Sequence, residues 1–193
     1  MKFCNQCGGA LVVALPPNDT RERHVCASCG TVHYENPRVV AGCIPEWNGQ
    51  ILLCRRSIEP RAGHWNLPAG FMETGETVAE TALRETGEEA NARVELLGLY
   101  SIMNLPHISQ VYFMFRARLL DLDFSAGHET LEARLFEPRA IPWGELAFPT
   151  VQHTLQFFVE DQGLGEYRFR IGDIVRDSGG FSYRAGRGAG TGA

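Results

Sequence analysis

The chain has 193 residues, 44% of them hydrophobic and 21% charged, proportions that suit a globular chain able to bury a core. Its formal charge is 18 − 23 = −5, which argues against a general polyanion binder. Lys2 is the only lysine, so there is no P-loop Gly-Lys-Ser/Thr and no lysine within the fold for Schiff-base or pyridoxal phosphate chemistry, and no Gly-x-Ser-x-Gly elbow occurs.

Residues 1–7 lack the apolar run of a leader, and nowhere do 18 apolar residues follow one another. We therefore expect a cytoplasmic protein with no membrane partner. Six cysteines in such a chain point to metal binding or packing rather than disulfides. Cys4-x-x-Cys7-Gly8 and Cys26-x-x-Cys29-Gly30 stand 18 residues apart, the spacing of a four-thiolate zinc site. Each pair fits one tight turn, and the glycine after it can take the positive φ such a turn needs. With all four positions filled by Cys4, Cys7, Cys26 and Cys29, the zinc would be structural. Residues 1–35 thus read as a zinc ribbon. His24 and His33 read as loop or outer-shell residues, and Cys43 and Cys54 as core. The ribbon sets Lys2, Arg21 and Arg23 against Asp19, Glu22 and Glu35, with no basic stripe, so no nucleic-acid partner is expected.

Residues 36–161 read as the main domain. Arg38 to Ile44 and Gln50 to Arg55 are β-rich runs around Asn48-Gly49, a hairpin signal. Residues 64–67, 93–105, 109–120 and 133–137 read as further strands, with helices over 77–90 and over 150–160 after Pro149. Many strands and few helices make an α+β mixed sheet. Residues 162–193 read as a glycine-rich tail. Its last stretch, 179–193, holds six glycines and no Leu, Ile or Val, so we expect it to be disordered, with Arg184 and Arg187 solvated.

The chemistry lies between residues 70 and 92. Thr77-x-x-Glu80 is a capping box, so a helix should start at Val78. Ala79, Ala82, Leu83, Thr86 and Ala90 then form a packing face. Glu85, Glu88 and Glu89 project together from another side, about 130° around. Taken alone, three such carboxylates are an ordinary solvated face. In a cleft their repulsion calls for a divalent cation, and oxygen-only ligands favour Mg²⁺ or Mn²⁺.

The wider pattern resembles the Nudix box, Gly-x5-Glu-x7-Arg-Glu-U-x-Glu-Glu-x-Gly-U with U apolar. Gly70, Glu76, Arg84, Glu85, Glu88 and Glu89 match in register. At roughly 7% per residue type, six fixed matches have chance odds on the order of 10⁻⁷ per start site. Thr86 departs at an apolar position, and Asn91 replaces the final glycine. Asn is the next-best residue for the left-handed cap expected there. Gly87 falls mid-helix, where it costs about 1 kcal/mol relative to Ala.

The resemblance implies a Nudix-type mixed β-sheet sandwiched by helices, and roles for matching residues. Glu85, Glu88 and Glu89 would hold Mg²⁺ or Mn²⁺, with a backbone carbonyl near Ala69 or Gly70 completing the coordination. Glu85 would orient or deprotonate water, Arg84 would anchor the carboxylates, and Glu76 would be structural. Arg55 and Arg56, at the end of a strand, are candidates to clamp phosphate, and Glu129 would reach the metals from a loop. Trp65, Phe71, Tyr100 and Tyr112 are candidate stackers for adenine or flavin, and His107 is a candidate pocket residue. The ribbon, Asn36-Pro37, Leu67-Pro68-Ala69-Gly70-Phe71 and Asn104 to Tyr112 look like a zinc-ribbon group that includes FAD and ADP-ribose pyrophosphatases. That implies hydrolysis of a diphosphate in a nucleotide-containing small molecule, FAD or ADP-ribose, to AMP plus FMN or ribose 5-phosphate. NADH pyrophosphatase ranks second, because the Ser-Gln-Pro-Trp-Pro-Phe-Pro signature does not follow the box. A non-catalytic nucleotide sensor is the competing class, against which the complete set of box carboxylates stands. A homodimer stays open.

Zinc in the ribbon has a direct test. Elemental analysis should find one tightly held zinc per chain, and a chelator should unfold residues 1–35 in a way excess Mg²⁺ does not reverse. A chain free of zinc with the ribbon still folded would contradict the assignment.

Overall fold

The computed structural model describes residues 1–178 and 180–186. The chain divides into two compact units, Met1–Pro37 and Arg38–Ala193.

In the first unit β1 (Leu11–Ala14), β2 (Arg23–Cys26) and β3 (Val32–His33) form a small antiparallel sheet in that order. So short a segment buries little, and its four cysteines gather where an ion could supply the missing cohesion. Gly8 N–H donates to Cys4 O at 2.9 Å and Gly30 N–H to Cys26 O at 3.0 Å, with φ of +72° and +74°. These are the left-handed turns the two Cys-x-x-Cys-Gly runs call for. All four sulfurs lie within 4.8 Å of one another, with Cys4–Cys29 at 3.8 Å and Cys7–Cys26 at 3.5 Å. A tetrahedral ion with metal–sulfur bonds of about 2.3 Å needs sulfur–sulfur edges of about 3.8 Å, so the donor set fits a soft divalent ion. His33 Nε2 lies 3.3 Å from Cys4 Sγ. His24 faces Glu35 at 3.6 Å.

The second unit is built on one mixed sheet. Its strands are β4 (Arg38–Trp47), β5 (Gln50–Arg56), β6 (Trp65–Asn66), β7 (Ala69–Phe71), β8 (Val94–Leu105), β9 (Gln110–Leu119), β10 (Thr130–Phe136), β11 (Arg170–Asp177) and β12 (Gly180–Ala185). Among the described residues the order is β10-β5-β4-β9-β8-β11-β12, with β6 on β5 and β7 on β4. β4 runs parallel to β9 and β11 parallel to β8, while the remaining pairs are antiparallel. Asn48 and Gly49, at φ +47° and +82°, make the tight turn between β4 and β5.

Two helices cover the sheet, α1 (Val78–Ala90) and α2 (Pro149–Leu164). Strand alternation assigns their sides. Ala41 and Cys43 of β4, with Phe115 and Ala117 of β9, meet Ala82 of α1. Ile44 and Met114, one residue out of phase, meet Val151, Leu155 and Phe158 of α2. The expected sheet between helices is therefore present, and Cys43 and Cys54 are buried in it. On α1 the buried residues are Thr81, Ala82, Thr86 and Ala90, whereas Leu83, placed on the packing face by spacing, is 41% exposed.

The tail departs most from expectation. Residues 170–177 and 180–185 form a hairpin that extends the main sheet. Their poverty in Leu, Ile and Val matters less because they borrow a core. Ile174 is buried against Met103 and Leu105, and Tyr183 packs on Phe157 at 4.9 Å while donating to Ile171 O. Arg184 is exposed. Residue 179 and residues 187–193, which include Arg187, lie outside the described residues.

A buried ion pair ties α2 to this hairpin. Asp161, 1% exposed, accepts from Arg170 Nη1 and Nη2 at 2.5 and 2.7 Å, from the Tyr100 hydroxyl at 2.8 Å and from Arg168 N–H at 3.0 Å. Burial pushes the Asp161 carboxyl up, but these donors outweigh it and hold it below its ordinary value. A depressed carboxyl stabilises the fold above the unfolded-state pKa of about 4 and loses that contribution as pH falls through its folded value. Asp161→Ala should cost about 3–5 kcal/mol in urea denaturation at pH 7, and clearly less below pH 4. An equal cost at both pH values would refute this account.

Candidate active site

Helix α1 presents the acidic residues, and its ends fix their register. Glu80 N–H donates to Thr77 Oγ1 at 3.2 Å and Thr77 N–H to Glu80 Oε2 at 2.8 Å, completing the capping box. Asn91 closes the other end in the left-handed region at φ +48°, its N–H donating to Gly87 O at 2.8 Å. Thr86 fits the box's apolar position because its hydroxyl donates to Ala82 O at 2.7 Å. A Cβ at Gly87 would meet nothing, so packing does not explain that glycine.

Arg84 organises the carboxylates. Its Nε and Nη2 donate to Glu76 at 2.6 and 2.9 Å, and its Nη1 to Glu85 Oε1 at 2.7 Å and Glu88 Oε2 at 3.1 Å. Nη2 also donates to Phe71 O at 3.1 Å. The Arg84 hydrogen bonds, helped by Glu73 N–H, hold Glu76 down to about 2. Glu76 is thus a fixed anchor, as expected. Glu85 and Glu89 shift the other way. Burial raises Glu85 against the pull of Arg84, and the charges of Glu88 and Glu129 add to the rise. Burial, then the charge of Glu85, pushes Glu89 up to about 8, although Ala69 N–H donates to it at 3.4 Å.

Glu85, Glu88, Glu89 and Glu129 line one cleft of about 990 Å³ together with Arg84, Gly70, Phe71 and Arg56. Among the described residues the glutamates do not close into a group of three ligand atoms within 4.8 Å, as the cysteines do. Arg84 Nη1 bridges Glu85 and Glu88 instead. Glu85 and Glu89, two oxygen donors that resist ionisation, fit a hard divalent cation, which would favour their charged forms.

Backbone contacts bring Glu129 there. Gly127 N–H donates to Glu89 O and Ser125 N–H to Ala90 O, both at 2.9 Å. A Cβ on Gly127 would lie 1.7 Å from Glu88 O, so this loop lies directly on the last turn of α1. The Asn91 side chain adds hydrogen bonds to Ser125 Oγ at 3.0 Å and Ala126 O at 3.2 Å, which glycine could not make. Sequence reasoning missed this tether, whose signal was the departure from the box at Asn91.

The two arginines separate. Arg56 lines the cleft, whereas Arg55, its neighbour on β5, is not among the lining residues and donates from Nε to Gly63 O at 2.8 Å. Adjacent strand residues face opposite ways, so the two do not meet at the cleft as a pair. The aromatic candidates divide too. Phe71, under the Arg38 guanidinium at 4.8 Å, lines the cleft and an adjoining cavity, and Tyr112 and His107 line the cavity. Trp65 packs edge-on to Phe136 in the core, and Tyr100 is spent on Asp161, so neither is a stacking residue.

Residues 36–156 match the family model described as NUDIX domain, and residues 2–35 match the zinc-ribbon model described as Nudix N-terminal. The chain belongs to the Nudix hydrolase family. It is similar to the crystal structure of a NUDIX hydrolase from Nitrosomonas europaea, with 53% identity and a TM-score of 0.88 over 90% of this chain and 99% of that one. It is 35% identical over 119 residues to an ADP-ribose pyrophosphatase of Methanocaldococcus jannaschii, covering 60% of this chain and 69% of that protein. It is 28% identical over 160 residues to a NAD-capped RNA hydrolase NudC of Photobacterium profundum, covering 79% of this chain but only 58% of that relative's length.

Gly70 gives the cleft a sharp test. A Cβ there would fall 2.2 Å from Glu85 Oε1, so Gly70→Ala must displace that carboxylate. We expect Mn²⁺ affinity, measured by calorimetry, to fall about 10–100-fold while the urea midpoint stays close to the parent's. Unchanged Mn²⁺ affinity would mean that Glu85 is not a ligand.

Proposed function

We propose that this Nudix hydrolase cleaves the diphosphate of a nucleoside diphosphate linked to a second group. ADP-ribose or FAD is the favoured substrate, giving AMP with ribose 5-phosphate or FMN. The observation that carries the reading is the cleft in which Glu85, Glu88, Glu89 and Glu129 converge beside Arg56, with the box residues in register. Glu85, Glu88, Glu89 and the Gly70 carbonyl would hold Mg²⁺ or Mn²⁺, with Glu129 reaching in from its loop. Bound there, the cation would neutralise charge developing on the diphosphate and acidify a water molecule. Glu85, half-buried with a raised pKa, orients the attacking water and takes its proton. Arg84 keeps Glu85 and Glu88 aimed, Arg56 meets a phosphate oxygen, and Phe71 borders the route to the neighbouring cavity. The four cysteines hold zinc as structure.

A second reading is supported by the relatives named NAD-capped RNA hydrolase, one of which matches 79% of this chain. In it the second group is nicotinamide-bearing, as in NADH. Both readings share an ADP half, and the acidic chain without a basic stripe favours the small molecule over RNA.

The deciding experiment incubates the full chain with Mg²⁺ or Mn²⁺ and, separately, ADP-ribose, FAD and NADH, then resolves the products. AMP should appear, and Glu85→Gln and Glu89→Gln should each lower kcat by about 10²-fold or more. No cleavage of any diphosphate, or full activity in both variants, would overturn the reading.

A further inference from the structure

A second cavity of about 430 Å³ adjoins the acidic cleft. The two share Arg56, Ala69, Gly70 and Phe71, so a molecule with its diphosphate in the cleft can extend one end into the cavity. Most of the wall is apolar, from Leu67, Leu105, Met114 and Val151. Among the polar side chains that interrupt it, two are buried with an unpartnered oxygen. Asn66 and Thr150 are 4% and 2% exposed, and neither Asn66 Oδ1 nor Thr150 Oγ1 has a hydrogen-bond partner among the described residues. Buried oxygens without partners are rare in folded proteins, because nothing replaces the water they lose. Two of them in one cavity wall suit a ligand edge that brings N–H donors.

The outer wall is aromatic, and part of it comes from beyond the family domain. Phe181 of β12 lies outside residues 36–156 yet lines the cavity, 45% exposed, with its ring 5.3 Å from that of His107. The hairpin holds it there through the β11 ladder to β8 and through Tyr183, packed on Phe157 and His153 of α2.

We propose that this cavity is the base subsite, and that it takes a planar nitrogen heterocycle with N–H donors on its edge, an aminopurine in the ADP-containing substrates. Asn66 and Thr150 read that edge, and Phe181 stacks on the ring face beside His107, making the C-terminal hairpin a specificity element. The assignment rests on the proposed reaction for the placement of the diphosphate.

Equilibrium titration of the full chain with AMP and with IMP tests the subsite without any turnover. The two differ where adenine's amino group is replaced by a carbonyl, which would set acceptor against acceptor at Asn66 Oδ1. AMP should bind at least about 10-fold more tightly than IMP, and Asn66→Leu should narrow that gap. Phe181→Ala should weaken AMP about 10-fold and raise KM for the ADP-containing substrate with kcat largely retained, and Phe181→Tyr should restore both. Equal affinity for AMP and IMP, or AMP affinity unmoved by Phe181→Ala, would overturn the proposal. Discrimination without cleavage of any dinucleotide would sink the proposed reaction and leave the subsite standing. Cleavage without discrimination would sink the subsite alone.

Discussion

One guanidinium governs the chemistry of this chain. Arg84 reaches three carboxylates and a backbone carbonyl, and no other side chain in the cleft touches so many of its parts. Its fork grips Glu76 in two hydrogen bonds, which leaves the remaining nitrogen to hold Glu85 and Glu88 at defined positions. Without that charge the burial of Glu85 would go unopposed, while Ala69 N–H and Arg56 oppose the burial of Glu89, and both carboxyls already resist ionisation. The acidic face becomes a cleft rather than a solvated stripe because Arg84 gathers it from one side and the loop carrying Glu129 covers the other.

That loop shows how precise the surrounding backbone must be. Gly127 passes so close to Glu88 O that no side chain fits between them. Asn91 serves two ends at once, ending the helix in a left-handed turn and tying the loop through its amide. A glycine there would satisfy the first need only. The same economy appears at Gly70, where the missing side chain leaves room for the Glu85 carboxylate.

The ribbon solves a separate problem. It has too little apolar surface to fold on burial alone, and its turns converge four sulfurs instead. Sulfurs so close cannot all ionise unaided. Hydrogen bonds from Thr31 bring Cys29 down to about 6, whereas neighbouring sulfurs, overriding the Gly9 N–H, drive Cys7 up to about 12. A divalent ion would remove that conflict.

The sequence alone determined the features that depend on spacing along the chain. The two Cys-x-x-Cys-Gly turns, the Thr77–Glu80 cap, the Asn48-Gly49 turn and the shared face of Glu85, Glu88 and Glu89 each follow from local geometry over a few residues. The Nudix resemblance was legible for the same reason, since the box is one loop and one helix. Other features needed the tertiary structure, because they depend on which distant segments meet. Spacing could not show that Arg55 and Arg56 part company across the sheet, that Trp65 and Tyr100 are taken up by the core, or that Leu83 stays exposed. Nor could composition show that a stretch poor in Leu, Ile and Val becomes a hairpin, since its order comes from strand β8 and helix α2 and not from its own residues. Local chemistry is written in neighbours along the chain, whereas the walls of a cavity are set by whichever strands pack around it.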